Sequence, residues 1–128
     1  MVAREDWVYI NLTGDTHPMH LHLVTLQVIG RTPFDAEADE EAYGGPRGVP
    51  AGFDPRPFAT GPMLPPAPEE RGFKDTVKVN PGFFTTVRAR FDLPDGVVAP
   101  QTYVHHCHHC HILEHEDNDM MRPFAVVA

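Results

Sequence analysis

The stretch His109-Cys110-His111-Ile112-Leu113-Glu114-His115-Glu116-Asp117-Asn118-Asp119-Met120 says more about the fold of this chain than any other segment. On a β-strand, successive side chains point to opposite faces, so Cys110 faces away from His109 and His111 if the stretch begins as a strand. The stretch therefore predicts a strand with a thiol on one face and imidazoles on the other.

A second histidine-rich segment, His17-Pro18-Met19-His20-Leu21-His22, lies near the start of the chain. If this segment is also extended, His20 and His22 share one face and His17 lies on the other. Two groups of side chains can then gather on opposite sides of the two segments. The first group is Cys110, His17, His115 and Met120, and the second is His20, His22, His109 and His111.

The first group has the donor atoms of a blue copper site. Such a site has two histidines and one cysteine in a trigonal arrangement, with a weakly bound axial methionine. Soft sulfur and imidazole ligands stabilise both Cu(I) and Cu(II). The sequence therefore predicts copper redox chemistry.

Both segments resemble the last, third cupredoxin domain of bacterial multicopper oxidases, in the branch of spore-coat laccases, bilirubin oxidases and phenoxazinone synthases. The stretches Asn11-Leu-Thr-Gly-Asp-Thr16 and Gly72-Phe-Lys-Asp-Thr-Val77 are also similar to that branch, so the resemblance runs nearly end to end. It implies an all-β fold, a cupredoxin-like Greek-key β-sandwich or barrel of the plastocyanin-like type.

The resemblance also implies roles for the ligand residues. The type 1 copper ligands would be His17, Cys110, His115 and Met120. The type 2 copper would be held by His20, and the type 3 pair by His22, His109 and His111. Glu116 would help to deliver protons to oxygen, and the outer edge of His115 would face the electron-donating substrate. The implied reaction oxidises phenols, bilins or metal ions and reduces oxygen to water.

A trinuclear copper cluster of this family uses eight histidines, four from the first domain and four from the last. This chain offers only its own four, so the resemblance implies that complementary cupredoxin domains, or a second copy in a homo-oligomer, complete the oxygen site. The alternative is a stand-alone blue-copper electron-transfer or copper-binding module without oxidase activity. That module needs only the type 1 ligands.

Length and composition predict one domain over residues 1–128. A chain of 128 residues with 41% hydrophobic residues can bury one core but not two. The net charge of −8 argues against nucleic acid or an anionic membrane surface as partner. The sequence shows no apolar run long enough to predict a membrane span. Its first residues do not show the basic and then apolar pattern of a secretory signal, and localisation stays open.

Short runs rich in Val, Thr, Phe and Tyr, divided by Gly or Pro, predict β-strands. These runs are residues 7–12, 21–29, 76–79, 83–91, a strand leading into the His/Cys cluster, and 123–127. Residues 35–72 hold most of the prolines and show no period, which predicts one long Pro/Gly-rich loop with a solvated acidic tract at 35–41. A surface excursion is the simpler interpretation of this loop, and a substrate-covering lid is the alternative.

The run Tyr103-Val-His-His-Cys107-His108 precedes His109 as though His-His-Cys were written twice. Cys110 has the family's spacing to the residues that follow it, whereas Cys107 has the family's spacing to Tyr103. The duplication would amount to three extra residues. Inserting an odd number of residues into a strand turns every following side chain to the other face, unless a bulge absorbs the change. The downstream spacing favours Cys110 as the copper ligand, with a bulge between Tyr103 and His109. If Cys107 were the ligand, the type 3 roles would move to His106 and His108.

The same duplication leaves two further alternatives. Residues 105–111 contain a C-x-x-C and five imidazoles, which could bind zinc or sequester copper without turnover. A disulfide between Cys107 and Cys110 requires a turn, because in an extended strand their side chains face opposite ways.

Overall fold

The fold is described by a computed structural model for residues 3–43, 54–92 and 103–126, without the side chains of residues 40, 43 and 103–105. It contains eight strands, two short α-helices and two 3₁₀ turns. These are β1 (Ala3–Ile10), β2 (His17–Leu21), β3 (Leu26–Pro33), α1 (Ala36–Tyr43), turns at Arg56–Phe58 and Pro68–Glu70, β4 (Phe73–Lys74), β5 (Thr76–Val79), β6 (Phe83–Phe91), β7 (Tyr103–Cys110), α2 (Leu113–Asp117) and β8 (Met121–Val126). No helix within the described residues has both the length and the apolar character needed to cross a bilayer.

The strands form two antiparallel four-stranded sheets, in the orders β1-β6-β3-β4 and β5-β2-β7-β8. The predicted alternation along β6 is confirmed, because Val87, Ala89 and Phe91 are buried while Arg90 between them is exposed. Met19 and Leu21 of β2 are buried in the same core, which the two sheets enclose. The predicted all-β sandwich is thus the fold.

The prediction of one strand over residues 21–29 was wrong. β2 ends at Leu21 and β3 begins at Leu26, with Leu23 between them in the left-handed region at φ 75°. The backbone N–H of His22 donates to the carbonyl of Cys107 at 3.0 Å. This bond keeps His22 beside β7 as the chain turns. No Gly or Pro marks the break, so the apolar pattern conceals it.

Residues 35–72 are more ordered than a long loop. Asp35 accepts the backbone N–H of Ala38 at 3.1 Å, in the manner of an N-cap, and α1 follows. Asp39 is fully buried, and burial raises the pKa of its carboxyl group. The prediction of a solvated acidic tract was therefore wrong at this residue. Residues 44–53 of the predicted loop lie outside the described residues.

Residues 54–72 pack against β3. Arg31 pairs with Leu64, and the missing side chain of Gly30 makes room for this contact: an added Cβ would lie 2.6 Å from the Leu64 carbonyl and from Met63. The buried Arg31 guanidinium also donates two hydrogen bonds of 2.6 Å to Glu70 and one of 2.7 Å to the carbonyl of Lys78. Because Lys78 belongs to β5, this side chain connects the segment to both sheets.

β7 is the strand that carries the duplicated motif. It lies between β2 and β8, and its register to β8 shifts between Tyr103 and His106. This register shift lies within the span from Tyr103 to His109 in which the sequence predicted a bulge. In the pairing with β2, Cys110 stands opposite Met19 and His109 stands opposite His20. Since paired residues share a face, Cys110 points into the core and His109 points out of the sandwich.

Candidate metal centre

Three donor atoms meet inside the sandwich, and we call them the thiolate cluster. The Cys110 Sγ lies 3.6 Å from His17 Nδ1 and 3.5 Å from His115 Nδ1. The two Nδ1 atoms lie 3.2 Å apart. Cys110 is fully buried and His17 is nearly so, whereas His115 is partly exposed.

These distances fit one metal ion. Bonds of about 2.0 Å to nitrogen and about 2.3 Å to sulfur place donor atoms roughly 3.3–3.7 Å apart, for angles between tetrahedral and trigonal. The separations in the thiolate cluster agree with that range within a tenth of an ångström. One thiolate with two imidazoles is the donor set that copper takes in blue sites.

Backbone hydrogen bonds close the loop that connects Cys110, His115 and Met120. The N–H of Cys110 donates to the carbonyl of Met120 at 3.0 Å, and the N–H of Met120 donates to the carbonyl of His115 at 2.9 Å. α2 forms the turn that carries His115. The backbone of Met120 is therefore held beside Cys110 and His115, and its partly buried side chain packs on the core.

Four imidazoles meet on the outer face of the same sheet, and we call them the imidazole cluster. Their rings lie with centroids between 5.1 and 5.5 Å apart across the close pairs. The members are His20, His22, His109 and His111. Donor atoms of the first three lie within 4.8 Å of one another, and the Nε2 atoms of His22 and His109 are 3.2 Å apart. The four residues that the sequence predicted to gather do so.

Backbone carbonyls orient two rings of the imidazole cluster. The Nδ1–H of His20 donates to the carbonyl of Asp75 at 2.9 Å, and that of His109 donates to the carbonyl of Cys110 at 3.2 Å. Each bond leaves the Nε2 lone pair free for a metal. Sequence reasoning missed these acceptors. The only signal was that Asp75 belongs to the stretch 72–77, whose resemblance to the family had no stated role.

The surroundings of two histidines favour the neutral imidazole, which is the form that binds metal. Burial lowers the pKa of His17, and the neighbouring His115 lowers it further. Burial also lowers the pKa of His22, with further contributions from His20 and His109.

The structure brings Cys110, and not Cys107, to His17 and His115. Both cysteines are free thiols, and among the described residues Cys107 belongs to neither close group of metal donors. His108, which the other register would make a ligand, packs instead against Trp7 at 5.4 Å between ring centroids. The strand thus has the register that the downstream spacing favoured.

Glu116 lies beside the imidazole cluster. Its side chain is partly buried and lines a cavity of about 190 Å³, together with Leu113 and residues 109–111.

The sequence profile of the multicopper oxidase family matches residues 2–128. The chain is 41% identical over 126 residues to a laccase of Bacillus subtilis, covering 95% of this chain and 20% of that protein. It is 38% identical over 130 residues to multicopper oxidase LPR1 homolog 5 of rice, covering 96% of this chain and 20% of that protein. The chain therefore spans about a fifth of the length of these relatives.

Solved structures show the same relationship. A variant of the McoA multicopper oxidase from Aquifex aeolicus superimposes with a TM-score of 0.62 at 28% identity, covering 98% of this chain and 20% of that one. A multicopper oxidase from Campylobacter jejuni, described as a metallo-oxidase, gives a TM-score of 0.58 at 25% identity over 94% of this chain and 18% of that one. Copper is the metal that this relationship implies, and the donor sets of both clusters suit it. This chain belongs to the multicopper oxidase family.

Proposed function

We propose that residues 1–128 form one cupredoxin domain, the third of a multicopper oxidase, and that it carries the type 1 copper site. His17, Cys110, His115 and Met120 would hold that copper. The observation that carries the proposal is the proximity of the Cys110 Sγ to two imidazole nitrogens, at 3.5 and 3.6 Å, in a buried position at the end of β7. The agreement of all three separations with one ion supports it.

The imidazole cluster would be half of the trinuclear oxygen site. His20 would bind the type 2 copper, and His22, His109 and His111 would bind the type 3 pair. The orientation of His20 and His109 by backbone carbonyls supports this assignment, because it leaves their Nε2 atoms free.

Bound copper would supply the one-electron chemistry that oxidises a phenol, a bilin or a metal ion and reduces oxygen to water. The chain's own residues position that chemistry. Cys110 is bonded through the backbone to His109 and His111, so a single residue links the two clusters covalently. The partly exposed ring of His115 offers an edge to a small reducing substrate. Glu116, which lines the cavity beside His109, would help to deliver protons to oxygen.

Complementary cupredoxin domains, or a second copy of this chain, would supply the remaining ligands of the oxygen site. A stand-alone electron-transfer module is the second candidate. It is favoured by one observation, that among the described residues the thiolate cluster is complete while the imidazole cluster lies on an outer face of the sandwich.

Copper binding and oxygen consumption distinguish the two functions. We expect the copper-loaded chain alone to show a visible thiolate-to-copper band but little oxygen consumption with a phenol, and activity to appear when the missing domains or a paired copy are present. His20→Ala should remove that activity and keep the band. Vigorous oxygen consumption by a chain shown to be monomeric would contradict the proposal, and a band without activity in any assembly would favour the electron-transfer module.

A further inference from the structure

The turn between β1 and β2 contains a buried amide with only one possible orientation. The Nδ2 of Asn11 donates to the carbonyls of Asp15 at 2.7 Å and Val79 at 2.9 Å. Its Oδ1 accepts the backbone N–H of Thr13 at 2.9 Å. Carbonyls only accept and a backbone N–H only donates, so the two ends of the Asn11 amide cannot be exchanged.

The orientation of Asn11 determines where the hydroxyl proton of Thr13 lies. The Thr13 Oγ1 is 2.8 Å from Asn11 Oδ1, which carries no hydrogen, so Thr13 must donate in that bond. A second acceptor, the Asp15 carbonyl, is 3.4 Å away and offers the weaker bond. Having only one proton, the hydroxyl oxygen is left to accept from other groups. One of these is the backbone N–H of Asp15 at 3.3 Å.

The second group is the ring of His17. Its Nε2 lies 2.7 Å from the Thr13 Oγ1, which is a short hydrogen bond. Because Thr13 has already donated its proton to Asn11, the proton in this bond must belong to the Nε2 of His17.

We propose that Asn11 and Thr13 are positioning residues that fix His17 in its Nε2–H tautomer and so direct an unprotonated Nδ1 at Cys110 and His115. The inference rests on the proposed function only for the identity of the metal. With the proton on Nδ1 instead, two lone pairs would face each other across 2.7 Å at Thr13, and an N–H would occupy the ligand position. The turn thus prepares a ligand before a metal arrives.

This role explains why the stretch 11–16 resembles the family, although no ligand was assigned within it. Ligating histidines generally donate their second ring N–H to a fixed acceptor, and loss of that acceptor typically lowers metal affinity by about 10–100-fold. Thr13 is the residue to substitute, because it is exposed whereas Asn11 is buried.

The tautomer can be measured directly in the metal-free chain of 128 residues. Two-bond ¹H–¹⁵N correlation spectra of ¹⁵N-histidine-labelled protein, at a pH where the imidazoles are neutral, report which nitrogen of His17 carries the proton. We expect the proton on Nε2. A proton on Nδ1 in the wild-type chain overturns the inference, and this measurement requires no variant to fold.

Substitution of Thr13 tests the consequence for the metal. Thr13→Val should weaken copper(II) binding at the thiolate cluster by roughly 10–100-fold and allow His17 to populate both tautomers. Thr13→Ser should restore both properties. Thr16→Val is the matched control. Thr16 lies in the same turn as Thr13, but its hydroxyl contacts the Asn80 side chain at 3.3 Å instead of the His17 ring. Unchanged affinity and tautomer in Thr13→Val would overturn the inference.

The two proposals fail in different ways. A wild-type chain without a thiolate-to-copper band contradicts the proposed function but leaves the tautomer in the metal-free chain to decide the role of Thr13. A normal thiolate-to-copper band together with an Nδ1–H tautomer of His17 would support the proposed function and overturn the role of Thr13.

Discussion

Cys110 is the residue on which both clusters depend. It is fully buried, its own N–H is held by the carbonyl of Met120, and the N–H of His111 is held by the carbonyl of Pro18 at 2.7 Å. These bonds fix the strand on both sides of the thiol. Alternation then gives the sulfur to one cluster and the flanking imidazoles to the other.

At this scale, the sequence predicted the residues with donor atoms but not those that orient them. The five-residue spacings related Cys110 to His115 and Met120, and strand alternation separated them from the four imidazoles of the other face. The acceptors of His20 and His109 are backbone carbonyls, which every residue possesses, so no residue type identifies them. Thr13 could have been found only as part of a stretch whose family resemblance had no assigned role.

Met120 should tune the copper site without being essential for metal binding. A thioether at the axial position stabilises Cu(I) more than an amide oxygen does, so Met120→Gln should lower the reduction potential of the copper-loaded chain. A tenfold loss of relative Cu(I) affinity corresponds to about 59 mV for a one-electron couple, and we expect a shift of at least that size. Redox titration of the visible band measures it.

Met121→Gln is the matched control for this substitution. Met121 is the first residue of β8 and pairs with His109, and its substitution should leave the potential unchanged. Complete loss of copper in Met120→Gln, or an unmoved potential, would mean that Met120 only packs on the core.

Secondary structure elements were predicted well where the local pattern determines them. β6 alternates apolar and polar residues and was predicted with its correct bounds, 83–91. Residues 54–72 show no period because tertiary contacts hold them in place, chiefly the pairing with β3 beside Gly30 and the Glu70 ion pair. These contacts pack residues 54–72 on the sandwich, and the choice between a surface excursion and a substrate-covering lid stays a prediction.

Glu70 should stabilise the fold through its ion pair with Arg31. The side chains of Glu70 and Arg31 are only 10% and 11% exposed, so Glu70→Ala leaves a buried guanidinium without its carboxylate partner. Loss of one partner from such a pair costs roughly 3–5 kcal/mol in the free energy of unfolding. Chemical denaturation near neutral pH measures this loss, with Glu69→Ala as the control, because the Glu69 side chain is exposed.

The pH dependence of this effect has a definite sign. The hydrogen bonds and charge of Arg31 hold the pKa of Glu70 below its ordinary value of 4.5. The contribution of Glu70 is therefore fully present above that value and is lost as the pH falls through the lower folded pKa. The difference in stability between wild type and Glu70→Ala should shrink in that acidic range, and a constant difference would contradict the role of the ion pair.

In the whole molecule, the two clusters are separated because they lie on different faces of the same sheet. The interior between the sheets holds the thiolate cluster, and the outer face of the sheet β5-β2-β7-β8 holds the imidazole cluster. The sequence predicted this division because strand alternation is a local property. The bulge in β7 could be inferred from the odd insertion, but its position between Tyr103 and His106 depends on pairing with β8.

The proposed oxygen site concerns the whole molecule as well. The imidazole cluster lies on the outer side of its sheet, and the chain spans about 20% of the length of its relatives. Both observations accord with our proposal that a complementary domain, or a second copy, closes over this face.

We propose that Cys110, and not its duplicate Cys107, binds copper together with His17 and His115. The most direct test is the visible thiolate-to-copper charge-transfer band of the copper-loaded chain in two matched variants. We expect Cys110→Ser to abolish the band and Cys107→Ser to retain most of it, because Cys110 alone of the two lies within 3.6 Å of an imidazole nitrogen of the thiolate cluster. Loss of the band in Cys107→Ser and its survival in Cys110→Ser would contradict the claim.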